Sequence, residues 1–409
     1  MLQLTEWETS GPLTLTPAQR HVLETRFEAV VRASGHGDEV AVRPGGVVGS
    51  VSVGGVPIVV RPKIPIDRVL FMTAYVADPF RWEENWSAIA GADDLEDGMA
   101  ALFVAACRRT LQRGLLRSYR TVDADLPIIK GRVRWNVQAR RSAPLPIASR
   151  FQVHDDDITE NRILREALAV LRHSRLPDPS LAAGVDRLWR SLEHVRPLRE
   201  PLAALDTITW TRQNEHYRQV LGLARVVLEN SMANLAGGVV GTIGFTLRLH
   251  AVFEQFVRTA LREAAGLSLA EFPDTWKGKG LSLAESGLVP LVPDLGVLID
   301  GRWRFVGDVK YKRDAGLGHE ADLYQLLAYA TATGLPEATL IYAQGPRAHI
   351  THDMRHADKR LHLRHLDLSA PPQAVLRQVQ SLTGLVKNNQ GTEIPSGTDS
   401  GTHAHESHK

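Results

Sequence analysis

The strongest constraint on the fold of this chain is the alternation of apolar and polar residues between positions 293 and 312. Leu295, Val297 and Ile299 occupy every second position in the first half of this segment. The apolar side chains that alternate in the second half are Trp303, Phe305, Val309 and Tyr311. A period of two places each set on one face of a β-strand. Since the residues between the halves, 300–302, include a glycine that can adopt positive φ, the segment is predicted to be a β-hairpin.

The register of this hairpin follows from its apolar faces. Opposed residues of an antiparallel pair point to the same side of the sheet, so apolar positions should oppose apolar positions. A two-residue turn would oppose Ile299 to Arg302, whereas a three-residue loop opposes Ile299 to Trp303. We therefore expect the three-residue loop. In that register Asp294 lies directly opposite Asp308, with their Cβ atoms roughly 5 Å apart.

Two opposed carboxylates would then share a small patch with Lys310, which lies two residues beyond Asp308 on the same face. Such a patch suits a hard divalent cation and an activated water molecule. The alternative is that these residues are solvated on the exposed face of a hairpin. Like charges opposed across strands are destabilising, however, and a sequence without a cation would tend to avoid them. The pattern therefore predicts a metal-dependent hydrolytic site.

Predicted helices flank the hairpin on both sides. Residues 319–333 have apolar positions on one stripe, and Gln325 and Tyr329, four residues apart, share a face. Their amide and phenol groups could contact a phosphate or orient a lysine, although both residues also fit an ordinary helix face. Upstream, an amphipathic helix over 250–258 carries Glu254. Strands are predicted near the N-terminus at 39–43, 47–53 and 56–61, with Gly54 and Gly55 as the turn between the last two. Further strands are predicted at 338–343 and 361–368. The order helix, hairpin, helix, strand, strand predicts an α/β module with one catalytic edge.

Composition is that of a globular protein with room for two or three domains in its 409 residues. The net charge is only +2, so a nucleic-acid surface would have to come from local clusters. Clustered arginines are Arg108, Arg109, Arg113, Arg117, Arg120, Arg132, Arg134, Arg140, Arg141 and Arg150. A guanidinium suits bidentate contact with phosphate or carboxylate, so DNA and a partner protein are both open as ligands.

The cysteine and histidine content limits the kinds of cofactor. The single cysteine, Cys107, is predicted to be a core residue on a helix, and it excludes an intrachain disulfide and a four-cysteine iron–sulfur cluster. The histidines His349, His352, His356, His362 and His365 have no cysteine partner, and zinc there would need the right geometry from several of them. No segment resembles a signal peptide or a membrane span, so we expect a cytoplasmic protein without membrane contact.

The order of elements and the residues in them resemble the PD-(D/E)xK nuclease superfamily. The residues that carry this resemblance are Pro293-Asp294, Asp308-Val309-Lys310, the upstream acid Glu254 and the downstream pair Gln325 and Tyr329. The wider chain, from about residue 45 to about 345, resembles the McrC family, the nuclease subunits of McrBC-type modification-dependent (type IV) restriction systems. The supporting segments are residues 58–64, 129–132, 160–164, 214–217, 221–224, 252–257 and 322–326.

This resemblance implies an α/β fold with a C-terminal restriction-endonuclease-like domain. It implies Mg²⁺, or Mn²⁺ in its place, as the cofactor. The implied metal ligands are Asp294, Asp308, Glu254 and the backbone carbonyl of Val309, and the other implied catalytic residues are Lys310, Gln325 and Tyr329. The implied domains are a β-rich partner-binding domain over 1–95, a helical connector over 96–235 and a nuclease domain over 236–386, followed by a disordered tail over 387–409, which is low in apolar residues.

The resemblance also implies partners. They are modified double-stranded DNA and a GTP-hydrolysing McrB-like ring, which the N-terminal region binds and stimulates. The chain has no G-x-x-x-x-G-K-[ST] phosphate loop, so GTP is expected only through that ring. Two other functions stay open from the sequence. One is a stand-alone DNA repair or recombination nuclease, and the other is a non-catalytic adaptor that activates a partner NTPase.

Overall fold

The computed structural model describes residues 1–35, 38–174, 176, 178–235, 244–278, 280–313, 317–345 and 349–387. Its helices are α1 (Pro17–Arg26), α2 (Ile66–Ala77), α3 (Trp86–Ile89), α4 (Leu95–Leu111), α5 (Trp135–Gln138), α6 (Thr159–His173), α7 (Pro179–Ser191), α8 (Pro201–Asp206), α9 (Arg218–Leu235), α10 (Leu249–Ala265), α11 (Glu320–Thr333), α12 (Pro372–Ser381) and α13 (Thr383–Lys387). Its strands are β1 (Leu2–Thr5), β2 (Val30–Ala33), β3 (Val40–Arg43), β4 (Val47–Val53), β5 (Val56–Arg61), β6 (Ser118–Leu126), β7 (Arg132–Val133), β8 (Ile147–Asp155), β9 (Gly244–Arg248), β10 (Leu295–Ile299), β11 (Arg302–Arg313), β12 (Glu337–Gln344), β13 (Ile350–Met354) and β14 (Lys359–His365). The fold is mixed α/β, as predicted. No helix in the described ranges is long and apolar enough to cross a membrane.

The first sheet has the strand order β1-β5-β4-β9. The strands predicted at 39–43, 47–53 and 56–61 are confirmed as β3, β4 and β5, and Gly54 and Gly55 form the turn with φ of 58° and 80°. Strand β9 comes from far along the chain and pairs with β4. Gly49 is required at this pairing because its φ is +127° and a Cβ there would lie 2.1 Å from the carbonyl oxygen of Phe245.

One hydrophobic core extends from the first sheet through the helices α2, α4, α6, α9 and α10 to one face of the second sheet. Phe256 of α10 packs edge-on against Phe71 and Tyr75 of α2, with ring centroids 5.4 and 5.5 Å apart. Cys107 is fully buried on α4, as predicted. The limits of the proposed domains stay a prediction, although β9, from the segment assigned to the nuclease domain, belongs to the first sheet.

The second sheet, which contains the predicted catalytic hairpin, has the order β10-β11-β12-β14-β13. Strands β10 and β11 are antiparallel, β11, β12 and β14 run parallel to each other, and β13 was not predicted. Helix α10 covers one face. On the other face α11 packs on a second apolar cluster that includes Val306, Leu326 and Leu340. The face that carries Asp308 is therefore covered by a helix, and the alternative of an exposed, solvated face is wrong for Asp308.

The two sheets are joined by a buried hydrogen bond. The hydroxyl of Tyr311 on β11 donates to Oε1 of Glu6, at 2.9 Å. Glu6 is only 1% exposed, and its Oε1 also accepts from the Lys63 backbone N–H at 2.8 Å. Burial raises the pKa of Glu6, and the hydrogen bonds oppose that shift. The N-terminal segment is thus fastened directly to the strand that carries Asp308.

Strands β6, β8 and β7, with the short α5, form an arm within the segment predicted to be a helical connector. Ile128, Ile129 and Trp135 on this arm are 65–72% exposed. Many of the clustered arginines lie here or at its base, and the expectation that they bind a phosphate or a partner stays a prediction. Carboxylates of this chain pair with Arg109, Arg120, Arg134, Arg141 and Arg150.

Candidate metal-dependent active site

The hairpin reaches the predicted register by a different route. The predicted three-residue loop is wrong, because Ile299 opposes Arg302 around a two-residue turn at Asp300 and Gly301, with φ of 51° and 72°. A β-bulge then shifts the register by one residue, so that Val297 opposes Phe305. An extra residue in one strand changes the side to which its neighbours point. Beyond the bulge the ladder is therefore the predicted one.

The same bulge separates two side chains that were predicted to share a face. Trp303 packs with the α11 side of the sheet and lies 4.4 Å, centroid to centroid, from Trp276. Phe305 instead lies in the core on the α10 side. The ladder ends with Leu295 opposite Gly307, and its continuation by one residue places Asp294 opposite Asp308. Because of the bulge, the hairpin can have a two-residue turn and still place the two acids opposite each other.

Asp294 and Asp308 are brought together in a largely buried position. Asp308 is 1% exposed, and the Val309 backbone N–H donates to Oδ2 of Asp294 at 3.0 Å. Burial first, and then the adjacent Asp308, raise the pKa of Asp294 to about 7. Oδ1 of Asp308 is buried and accepts no hydrogen bond from any described residue. Such an unpartnered buried oxygen is costly unless a cation or donor binds it.

Lys310 provides the positive charge that faces these acids. Its ammonium forms an ion pair with Oδ2 of Asp308, and its side chain is 24% exposed. Burial alone would lower the pKa of Lys310, but Asp308, Asp294 and Asp322 outweigh burial and raise it. Lys310 therefore remains charged at neutral pH, with a path to solvent on one side.

Glu254 lies within the field of Asp294 but is ion-paired with an arginine. Its carboxylate forms an ion pair with Arg258, one turn further along α10, and Nε of Arg258 donates to the backbone carbonyl of Asp294 at 2.9 Å. Burial and the charge of Asp294 raise the pKa of Glu254, and Arg258 opposes that shift. Sequence reasoning missed Arg258, whose i, i+4 spacing from Glu254 was a usable signal.

The Gln325 and Tyr329 pair reaches the site through hydrogen bonds to each other and to the backbone. The Gln325 amide donates to the Tyr329 hydroxyl at 2.8 Å, which in turn donates to the carbonyl of Val292 at 2.9 Å. Burial is the largest cause that raises the pKa of Tyr329, followed by the charge of Asp308, with Asp294 and Glu254 adding to it. The pair therefore holds the backbone just before Asp294 and lies within the field of all three acids.

A second buried carboxylate, Asp322, anchors α11 to the catalytic strand. Its Oδ2 lies 2.7 Å from the Lys312 ammonium and accepts from the Tyr342 hydroxyl at 2.8 Å. Sequence reasoning assigned no role to Asp322, although it begins the Asp322–Leu326 run that carried part of the family resemblance. Its position fixes the helix that supplies Gln325 and Tyr329.

The histidines do not form a metal site in the described part of the chain. His362 interacts with Glu337 and Thr351, at 3.1 Å each, and His352 contacts the carbonyl of Leu317 at 2.9 Å. Among the described residues no group of three or more histidine, cysteine, aspartate or glutamate side chains is arranged to hold a metal ion. The tail from 388 onward, predicted to be disordered, lies outside the described residues.

The donor set at the hairpin nevertheless fits a magnesium-type cation. Mg²⁺ is commonly bound by one or two carboxylates and keeps several water ligands. Asp294, Asp308 and the carbonyl of Val309 offer hard oxygen atoms, and one carboxylate oxygen of Asp308 has no hydrogen-bond partner among the described residues. Glu254 would have to separate from Arg258 to join them. A lysine beside two carboxylates supports hydrolysis of a phosphate ester.

Comparison with known proteins identifies the family and a similar fold. The family described as "McrBC 5-methylcytosine restriction system component" matches residues 42–343. None of the curated proteins matches the chain. A chain of the Thermococcus gammatolerans half-complex from a tetradecameric assembly of McrB AAA+ hexamers with bound McrC is 13% identical with a TM-score of 0.52, over 93% of this chain and 99% of that chain. A chain of the Thermococcus gammatolerans McrBC complex is 15% identical with a TM-score of 0.43, over 64% of this chain and 87% of that one.

Proposed function

Because this chain belongs to the family of McrBC 5-methylcytosine restriction system components, we propose that it is the DNA-cleaving subunit of such a system. In this proposal it hydrolyses phosphodiester bonds of modified double-stranded DNA with Mg²⁺. A McrB-like GTPase ring activates it, and it stimulates the GTP hydrolysis of that ring. The reaction would take place in the cytoplasm, where DNA and GTP meet.

The observation that supports cleavage most strongly is the buried pairing of Asp294 with Asp308 beside Lys310. Burial, and then the adjacent Asp308, raise the pKa of Asp294 to about 7, so an ionised Asp294 is destabilising in a protein that binds no cation there. The hairpin residues also occur in the PD…DxK order of a PD-(D/E)xK nuclease. In the sequence they lie between α10, which carries Glu254, and α11, which carries Gln325 and Tyr329. A domain of that superfamily is therefore part of the proposal.

The proposed roles follow from the contacts of each residue. Asp294, Asp308 and the Val309 carbonyl would hold Mg²⁺, which when bound supplies Lewis-acid polarisation of the scissile phosphodiester. The Lys310 ammonium orients the attacking water and stabilises negative charge that develops on the phosphate. Arg258 holds the carbonyl of Asp294, and Glu254 completes the acidic edge. Gln325 and Tyr329 keep the backbone before Asp294 in place.

The proposed contact with the ring involves the arm as well as the N-terminal region. The exposed side chains of Ile128, Ile129 and Trp135 are apolar, which is typical of a surface that a protein partner covers. A related fold occurs in an assembly of McrB AAA+ hexamers with bound McrC. The absence of a phosphate loop in this sequence is consistent with GTP binding by the partner alone.

The deciding experiment is cleavage of methylated and unmethylated plasmid with Mg²⁺, with and without the McrB-like partner and GTP. Asp308→Asn removes the charge of a buried acid with little change in shape. Asp353→Asn, on the exposed side of β13 in the same sheet, is the matched control. Cleavage that needs the partner, GTP and Asp308, and that survives Asp353→Asn, is the expected result.

Other results would assign the chain to a different function. Cleavage by this chain alone, without partner or GTP, would make it a stand-alone nuclease. Stimulated GTP hydrolysis without any cleavage, equal in the wild type and in Asp308→Asn, would make it an adaptor. Either outcome contradicts the proposal.

A further inference from the structure

A cavity of about 380 Å³ lies between α9 and α10, on the side of α10 that also carries Arg258. Its volume falls in the range of about 300–1,000 Å³ that is common for small-ligand sites. Ala77 of α2 and Gly222 of α9 contribute to its wall, and a Cβ at Gly222 would lie 3.0 Å from Ala77. The close approach of α2 and α9 thus bounds one side of the space.

Helix α10 presents a polar stripe to this cavity. The lining residues from α10 are Gln255, Arg258, Thr259 and Arg262, at i, i+3, i+4 and i+7. This spacing places them on one face of the helix. Most of the other α10 side chains, such as Phe253 and Phe256, are buried in the core. This stripe therefore presents hydrogen-bonding side chains to the cavity.

Two buried guanidinium groups keep unused donors on this stripe. Arg258, 6% exposed, uses Nε for the Asp294 carbonyl and Nη2 for Glu254. Arg262, 8% exposed, uses Nη1 for the Phe272 carbonyl at 3.1 Å and for Asp274 at 2.6 Å. The other guanidinium nitrogens of both have no hydrogen-bond partner among the described residues, and none of them is enclosed by protein. These donors are therefore available to a ligand in the cavity.

Two further arginines line the cavity from α9. Arg225 lies 2.6 Å from Asp206, and Arg218 lies 2.8 Å from Glu215. Both acid side chains are more than half exposed, so these pairs are screened by solvent and are worth little. A phosphate can take over such a guanidinium through two parallel hydrogen bonds. Trp210 adds an aromatic ring, 4.6 Å from the Arg218 guanidinium.

We propose that this cavity is a binding site for the phosphate of a nucleotide, supplied by a free nucleotide or by a DNA strand. The four lining arginines are each ion-paired with an acid of this chain, but Arg258 and Arg262 keep unused donors, and Arg218 and Arg225 are held by the exposed acids Glu215 and Asp206, so a phosphate can bind there. Arg258 connects the cavity to the catalytic edge, since the same guanidinium binds Glu254 and the Asp294 carbonyl. A phosphate on Arg258 would weaken its hold on Glu254. Binding of a phosphate in the cavity does not depend on the proposed cleavage. Only the effect of the weakened Arg258–Glu254 pair on catalysis rests on the proposed function.

The test is isothermal titration calorimetry of the full chain in EDTA. The probes are dGMP, deoxyguanosine and a short 5′-phosphorylated single-stranded oligonucleotide. Arg225→Gln removes a charge from the lining, and Val226→Phe fills the space without changing charge. Arg190→Gln is the control, because this arginine is also ion-paired on a helix surface but lies outside the lining. Circular dichroism checks the folding of each variant.

The expected result is saturable binding of the phosphorylated probes and none of deoxyguanosine. Arg225→Gln and Val226→Phe should each weaken binding by about tenfold or more, and Arg190→Gln should leave it unchanged. Tighter binding of the oligonucleotide would identify a DNA strand as the source, and tighter binding of dGMP a free nucleotide. Absence of saturable binding, or equal binding by wild type and both cavity variants, would overturn the proposal.

Discussion

Replacement of Asp294 by asparagine should stabilise the folded protein at pH 8 in the absence of a cation. Burial and Asp308 raise the pKa of Asp294 from an ordinary 3.8 to about 7, so folding disfavours its ionised form. The cost is absent below pH 4, grows as the pH rises towards 7 and is constant above it. Asparagine resembles the protonated acid, and its amide oxygen can still accept from the Val309 N–H.

The size of the effect follows from the two pKa values. The interval from 3.8 to about 7, at about 1.4 kcal/mol for each pH unit, corresponds to about 4 kcal/mol. Because solvent reaches part of Asp294, we expect Asp294→Asn to raise the free energy of unfolding by about 2–4 kcal/mol at pH 8. At pH 4 the variant and the wild type should be nearly equal.

Urea unfolding followed by tryptophan fluorescence, in EDTA at pH 4 and pH 8, measures this difference. Addition of Mg²⁺ at pH 8 should stabilise the wild type and not the variant, since a ligand that binds only the folded state adds stability. Asp353→Asn should change neither value. A variant that is less stable than the wild type at pH 8, or a difference that does not depend on pH, would refute the reasoning.

Three further results are expected. Lys310→Gln should lower the rate of DNA cleavage by roughly 10²–10⁴-fold, because the lysine acts on water and phosphate. Mg²⁺ should still stabilise this variant against urea, and loss of that stabilisation would contradict the proposed role. Tyr311→Phe should lower the free energy of unfolding in urea by about 1–3 kcal/mol, because buried Glu6 loses a donor; an unchanged value would show that the link is dispensable. Gly49→Ala should lower the melting temperature far more than Gly114→Ala, which also has positive φ but no atom near the added Cβ; equal shifts would show that strain alone is responsible.

Local pattern was enough to predict the elements around the site. Helix 319–333 and strand 338–343 correspond to α11 and β12, and the glycine pair 54–55 forms the predicted turn. These predictions succeed because helix and strand periods and turn residues are properties of neighbouring positions. The opposition of Asp294 and Asp308 was also predicted, although the loop that was thought to produce it was wrong. A bulge and a longer loop give the same register, and alternation alone does not distinguish them.

Long-range packing decided the rest. The partner of β9 lies some two hundred residues earlier in the chain, and no local pattern in 244–248 indicates β4. The face of Asp308 was predicted to be polar, but α11 packs on it through a second apolar cluster. The clustered arginines were predicted to form a surface for a phosphate or a partner, and no local pattern indicated that Arg120, Arg141 and Arg150 would also pair with acids on neighbouring strands.

Sequence alone therefore determined which residues could form a metal-binding edge, since that depends on residue type and on a period of two along adjacent strands. Tertiary structure decided which hydrogen bonds hold that edge in place. Arg258 donates to the Asp294 carbonyl, Tyr329 donates to the Val292 carbonyl, and Tyr311 donates to the Glu6 carboxylate. The physical reason is that a hydrogen bond or ion pair between distant segments depends on how those segments pack. Short-range alternation specifies which side of a strand or helix is apolar, whereas the packing of the whole core specifies which segment covers that side.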